Sequence, residues 1–168
     1  MPFTPFHLGP ALLIALLVFP SLDLASFLVS SVIVDVEHGI GWGHGFFHSY
    51  LGASILVVPA AAVMYSMREV TQRALEPFSI RQRSSFRKTL FTSLLGVYSH
   101  VFLDSFLYGE MKPLYPLDFN PFLNAISASS IYALCAISLL LGLTVYAYRA
   151  VRAGKSSRFI DQGSRPMK

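Results

Sequence analysis

The residues best suited to chemistry are histidines and aspartates spaced four residues apart beside apolar segments. His100 and Asp104 lie within the hydrophobic stretch 90–108, and His44 and His48 directly precede another such stretch. On a helix, residues i and i+4 lie one above the other on the same face, so both side chains of a pair can reach one point. Such a pair either ligates a cation or forms a hydrogen bond that satisfies two buried groups. From His100 and Asp104 alone, the two interpretations stand equal.

The composition of the chain is that of a membrane protein. Of its 168 residues, 54% are hydrophobic and 13% are charged, and the mean hydropathy is +0.55. Soluble domains carry about 25% charged residues. The net charge of +4 raises the question of a nucleic-acid partner. Membrane topology explains the clustering of the basic residues better, so we expect no nucleic-acid ligand.

The hydrophobic segments predict an all-α, integral membrane bundle of about five helices. The predicted helices cover residues 5–19, 24–34, 50–67, 89–108 and 123–148. Residues 1–150 form a single membrane-embedded domain in this prediction, and residues 151–168 form a basic, disordered cytoplasmic tail. The first two helices are shorter than the ~20 residues of a full span. They are either tilted spans or a re-entrant hairpin, and both versions return Asp35 to the side where His7 lies.

The distribution of basic residues predicts the orientation of the bundle. Six Lys or Arg residues lie between positions 68 and 88 and six more follow position 148, whereas Lys112 is alone on the opposite side. Because positive charges mark cytoplasmic loops, we expect the C-terminus in the cytoplasm and the site towards the non-cytoplasmic face of the inner membrane. The groups that this topology brings together there are His7, Asp35, His38, His44, His48, His100 and Asp104.

This set of side chains predicts a transition-metal site. Imidazole and carboxylate ligands suit zinc first and also manganese, whereas calcium and magnesium prefer oxygen alone. A metal with an open coordination position activates water as a nucleophile. Glu37 is a candidate general base. The alternative interpretation is that Glu37 is an exposed loop carboxylate without a part in the reaction. His44 is a candidate for orienting the site or binding the substrate. The alternative role, which we rank second, is that of a metal ligand.

Several motifs carry a resemblance to a known family. They are Met1-Pro-Phe-Thr-Pro-Phe-His7-Leu-Gly-Pro10, Asp35-Val-Glu37, His44-Gly-Phe-Phe-His48-Ser49, His100-x-x-x-Asp104-Ser105 and Lys112-Pro-Leu-Tyr-Pro116. In this order they resemble the bacterial and archaeal membrane-bound metal-dependent hydrolases of the YdjM type, over roughly residues 1–122. That family is in turn similar to zinc-dependent phospholipase C and the fungal single-strand nucleases, which have all-helical zinc sites.

The resemblance implies a set of ligands. One metal would bind Asp35, His48, His100 and Asp104, and Asp104 would bridge to a second metal at His7. No histidine follows His100, and Tyr108 stands where many relatives carry a histidine, with Glu110 as a substitute ligand nearby. The chain therefore departs from a three-metal site, and one or two ions are expected.

These observations predict a membrane-bound hydrolase in which metal-activated water attacks a phosphodiester or related ester. The expected substrate is a small molecule or a lipid ester, such as a phospholipid reached from the membrane. One alternative is a transporter in which the His and Asp side chains relay ions or protons. Another is a non-catalytic membrane protein with a structural metal.

Overall fold

All regular structure in the described part of the chain is helical. A computed structural model describes the backbone of residues 5–39, 41 and 43–163 and the side chains of residues 6–38, 41 and 43–152. The α-helices are α1 (Pro5–Leu17), α2 (Leu24–Ser30), α3 (Val36–Gly39), α4 (Tyr50–Ser66), α5 (Arg68–Leu75), α6 (Phe86–Ser105) and α7 (Ala128–Gly163). Short 3₁₀ turns cover Ile33–Asp35, Phe46–His48 and Glu76–Phe78. The all-α prediction is confirmed.

The five predicted helices correspond to α1, α2, α4, α6 and α7. The last of them differs most from its predicted bounds, because it begins at Ala128 instead of residue 123. Its backbone remains helical to Gly163, past residue 151, where the sequence predicts a disordered tail. Residues 164–168 lie outside the described part, so the prediction for the end of the chain stays a prediction.

The predicted count of membrane spans is not confirmed. Among the described residues, one helical segment, Ala128–Arg152, is long and apolar enough to cross a membrane. A second span is possible only if Tyr50–Ser66 and Arg68–Phe78, which meet at a bend of 66°, count as one. The helices α1 and α2 are too short to cross by themselves. The α6 helix is 20 residues long, but its charged and hydroxyl side chains lower its mean hydropathy.

Helix α6 lies at the centre of the fold. It packs against α2 and α4, while α7 packs chiefly along α1. The α1–α7 contact depends on Gly9, because a side chain there would collide with the backbone carbonyl of Cys135. At the other contacts, apolar side chains such as Val34, Val57 and Val97 form a buried core. The polar face of α6 is therefore enclosed by α1, α2 and the turns on either side of α3.

Candidate metal centre

Four separate elements deliver the candidate ligands to one place. Helix α6 supplies His100 and Asp104, and the turn Ile33–Asp35 supplies Asp35. The turn Phe46–His48 supplies His48, and Ser49 fixes its position by capping α4 through a hydrogen bond from the Gly52 amide. His48, His100 and Asp104 are fully buried, and 12% of the Asp35 side chain is exposed. The site is thus assembled inside the helical core with one side near the surface.

The four side chains lie at the spacing of ligands around a single ion. Oδ1 of Asp35 is 3.4 Å from Nε2 of His100 and 3.7 Å from Nε2 of His48. Oδ2 of Asp104 is 3.2 Å from Nε2 of His100. In a tetrahedral zinc site with bonds of about 2.0–2.1 Å, neighbouring ligand atoms are about 3.3 Å apart. One atom from each of the four residues lies within 4.8 Å of all the others.

Hydrogen bonds at Nδ1 fix the orientation of the His48 and His100 rings. Nδ1 of His48 donates to Oε2 of Glu37 at 2.7 Å, and Nδ1 of His100 donates to the carbonyl oxygen of Ser31 at 2.8 Å. With the Nδ1 hydrogen directed at these acceptors, Nε2 of each ring faces the carboxylates. Neither Nε2 atom has a hydrogen-bond partner in the described part of the chain. Metal-ligating histidines have this kind of acceptor behind them.

Glu37 occupies a different position from the one expected of a general base. It is 1% exposed, and its second oxygen accepts the backbone N–H of Phe47 at 3.0 Å. Both carboxylate oxygens are therefore engaged by the turn that carries His48. This geometry favours a positioning role for Glu37 over proton transfer to a substrate. The sequence spacing does not reveal this, because the contact depends on how α3 folds back onto the turn.

His7 reaches the far side of Asp104. Its Nε2 lies 3.1 Å from Oδ1 of Asp104, and its ring stacks on His100 with the centroids 4.0 Å apart. The two oxygens of Asp104 thus face different imidazoles. This arrangement serves equally for a hydrogen bond donated by His7 and for the bridging carboxylate that the resemblance implies.

His44 and His38 lie on the outer side of the four-residue site. Nδ1 of His44 donates to Oε1 of Glu110 at 2.7 Å, and the ring stacks on Tyr108 at 3.8 Å. Nδ1 of His38 lies 3.6 Å from Oδ1 of Asp35. The structure therefore brings together every site residue that the sequence predicts.

The outer residues have pKa values shifted by their surroundings. Burial lowers the pKa of the His44 imidazole, although the hydrogen bond to Glu110 opposes this shift. A hydrogen bond from its own backbone N–H, together with the His44 ring, lowers the pKa of the Glu110 carboxyl against a smaller effect of burial. Burial and the negative charge of Asp104 raise the pKa of the Tyr108 hydroxyl. Near neutral pH, these directions favour a neutral His44 beside an ionised Glu110.

Sequence reasoning missed two groups that orient the site. The carbonyl oxygen of Ser31 leaves no signal in the sequence, because every residue has a backbone carbonyl. The sequence makes Glu110 a candidate substitute ligand, but the structure places it behind His44 as a hydrogen-bond acceptor. The sequence indicates that Glu110 lies near the site, but it does not show that Glu110 accepts a hydrogen bond from His44.

Comparison with known proteins identifies the family of the chain. The model of the YdjM inner membrane protein family matches residues 3–160, nearly the whole chain. The chain belongs to the YdjM inner membrane protein family. No curated protein and no solved structure matches the chain. Membership of the YdjM family gives an inner-membrane location, and the side-chain cluster gives a place where a metal ion can bind.

Proposed function

We propose that this YdjM family member is a membrane-bound, metal-dependent hydrolase. Its ligands for a divalent ion are Asp35, His48, His100 and Asp104. Zinc suits these ligands best, and manganese is the second choice. The single observation that carries the metal site of this proposal is the convergence of these four donors at the spacing of ligands around one ion. The similarity of the motifs to metal-dependent hydrolases supports the choice of reaction.

The charges of the buried site support a cation at its centre. Two carboxylates, Asp35 and Asp104, lie beside the Nε2 atoms of His48 and His100. Lone pairs facing carboxylates in a buried site are unfavourable unless a proton or a metal lies between them. One divalent ion balances both carboxylates and uses both nitrogens as ligands.

The chain's own residues perform the positioning that hydrolysis requires. A bound divalent ion would supply Lewis acidity and an activated water for ester hydrolysis. Glu37 and the Ser31 carbonyl hold the two imidazoles in one tautomer, so the ligands are arranged before the ion arrives. His44 lies on the outer side of the four donors, between His48 and Glu110.

We propose a phosphodiester or a related ester as the substrate, with a membrane phospholipid as one candidate. The membrane location of the family brings lipid esters within reach of the site. The basic segment 68–88 and the basic C-terminal end favour the cytoplasm for those parts of the chain. The site then lies towards the non-cytoplasmic face.

A non-catalytic role is the second candidate. Four protein ligands complete a tetrahedral shell, and complete shells are typical of structural zinc sites. In that case the ion would join α6 to the turns that carry Asp35 and His48. This candidate predicts metal without hydrolytic activity.

An activity assay with matched variants tests the hydrolase proposal. Detergent-solubilised wild type, loaded with zinc or manganese, is assayed on bis(p-nitrophenyl) phosphate and on phospholipid vesicles. We expect metal-dependent hydrolysis that Asp104→Asn abolishes and that Asp118→Asn, a change at an exposed loop carboxylate, leaves intact. Bound metal without turnover of any phosphodiester or carboxylic ester would favour the structural role instead.

A further inference from the structure

A second group of donors lies directly outside the four-residue site. One nitrogen from each of His38, His44 and His48 lies within 4.8 Å of the other two. The ring centroids of His38 and His44 are 4.5 Å apart, and those of His44 and His48 are 4.9 Å apart. Three imidazoles at this distance are a typical donor set for a transition metal.

Two of these nitrogens are oriented as ligands. Glu110 accepts the proton of His44 Nδ1, so Nε2 of the neutral ring carries a lone pair. Nε2 of His44 and Nδ1 of His38 are both buried and have no hydrogen-bond partner among the described residues. Buried polar atoms without a partner are rare in folded proteins, and a bound ion would satisfy both of these nitrogens.

His48 cannot complete this outer group while it serves the inner one. Its Nδ1 is bound to Glu37, so Nε2 is its single available donor, and a nitrogen lone pair binds one ion. Asp35 provides an alternative, because its Oδ1 lies 3.6 Å from Nδ1 of His38 as well as 3.4 Å from Nε2 of His100. A carboxylate can bridge two metal ions, and the two ions of such a site lie about 3.5–4 Å from each other.

We propose that His38 Nδ1 and His44 Nε2 bind a second divalent ion that shares Asp35 with the first. This inference rests on the proposed function and deepens it. The inner ion has four protein donors, three of them buried, whereas the outer ion has three donors and lies beside His38, whose side chain is 26% exposed. An open coordination position is what a catalytic metal needs. The outer ion is therefore the one that meets water and substrate, and it is distinct from an ion at His7.

Zinc stoichiometry of the full chain in detergent tests the proposal. The metal-free protein is titrated with zinc, and bound metal is measured by elemental analysis after gel filtration. We expect two ions in wild type, one in the double variant His38→Ala with His44→Ala, and two in His7→Ala. Loss of one ion from His7→Ala, with two retained in the double variant, would overturn the proposal.

A second variant avoids any change in the core. Glu110 is 61% exposed and contacts the site through its hydrogen bond with His44. Glu110→Ala should weaken binding of the second zinc ion by about 10–100-fold and leave the first unchanged. The matched control is Glu69→Ala, an exposed carboxylate on α5, which should change neither affinity. Equal affinities in Glu110→Ala and wild type would contradict the assignment of His44.

The outcomes separate this inference from the proposed function. A single zinc ion in wild type, lost in His100→Ala but kept in the double variant, overturns the outer ion and leaves the inner site standing. No zinc in wild type at any concentration overturns both.

Discussion

At the scale of single residues, the histidines of the site are defined by the groups behind their rings. Three of the five rings have an acceptor on Nδ1 and present Nε2 to the site. The pairs are His44 with Glu110, His48 with Glu37 and His100 with the Ser31 carbonyl. Second partners of this kind orient metal ligands and raise their basicity. Substitutions at the acceptors should therefore change metal affinity even though the acceptors bind no metal.

Glu37→Gln tests this relation at the most buried acceptor. The carboxylate accepts from His48 and from the Phe47 amide with separate oxygens, but a glutamine has one acceptor oxygen and an NH₂ group that faces a donor. We expect about 10–100-fold weaker zinc binding and a loss of about 1–3 kcal/mol in stability. Chelator competition and thermal denaturation measure these effects. Unchanged zinc affinity would mean that Glu37 does not orient His48.

At the scale of elements, the site depends on the close approach of α2 to α6. A Cβ at Gly96 would lie 2.6 Å from Cβ of Ser30 and 3.1 Å from the backbone nitrogen of Ser31. The absence of a side chain at Gly96 therefore lets the end of α2 touch α6. This contact brings the Ser31 carbonyl to Nδ1 of His100, one helical turn further along α6.

Gly96→Ala should separate α2 from α6. The added methyl group meets backbone atoms that cannot move alone, so we expect a loss of about 1–3 kcal/mol in stability. His100 loses its acceptor, and zinc affinity falls with it. Gly109→Ala is the matched control, because the nearest atom to its new Cβ is a leucine methyl group at 3.6 Å. If both variants bind zinc like wild type, the α2–α6 contact does not position His100.

At the scale of the whole molecule, the sequence predicts the helices and the meeting of the site residues better than the membrane crossings. Apolar segments mark α1, α2, α4, α6 and α7, because helices that pack together bury apolar side chains. The number of spans is harder to predict, because polar side chains inside α6 are compatible with a buried helix as well as a transmembrane one. The roles of Glu37 and Ser31 depend on how distant elements pack, which spacing along the chain does not encode.

The orientation in the membrane is a prediction for the molecule as a whole. If positive charges keep residues 68–88 in the cytoplasm, Ala125→Cys should react with a membrane-impermeant thiol reagent in intact cells and Ser66→Cys should not. Both positions are small and exposed, and the native Cys135 is buried. Labelling of Ser66→Cys alone would reverse the proposed orientation.

The metal content of the purified protein tests the central claim most directly. Wild type and His100→Ala are reconstituted with zinc, freed of excess metal and measured by elemental analysis, with circular dichroism to verify the helical content. We predict bound zinc in wild type and loss of the inner ion in His100→Ala, with the helices retained. Equal zinc in both proteins, or none in either, would contradict a metal site built from Asp35, His48, His100 and Asp104.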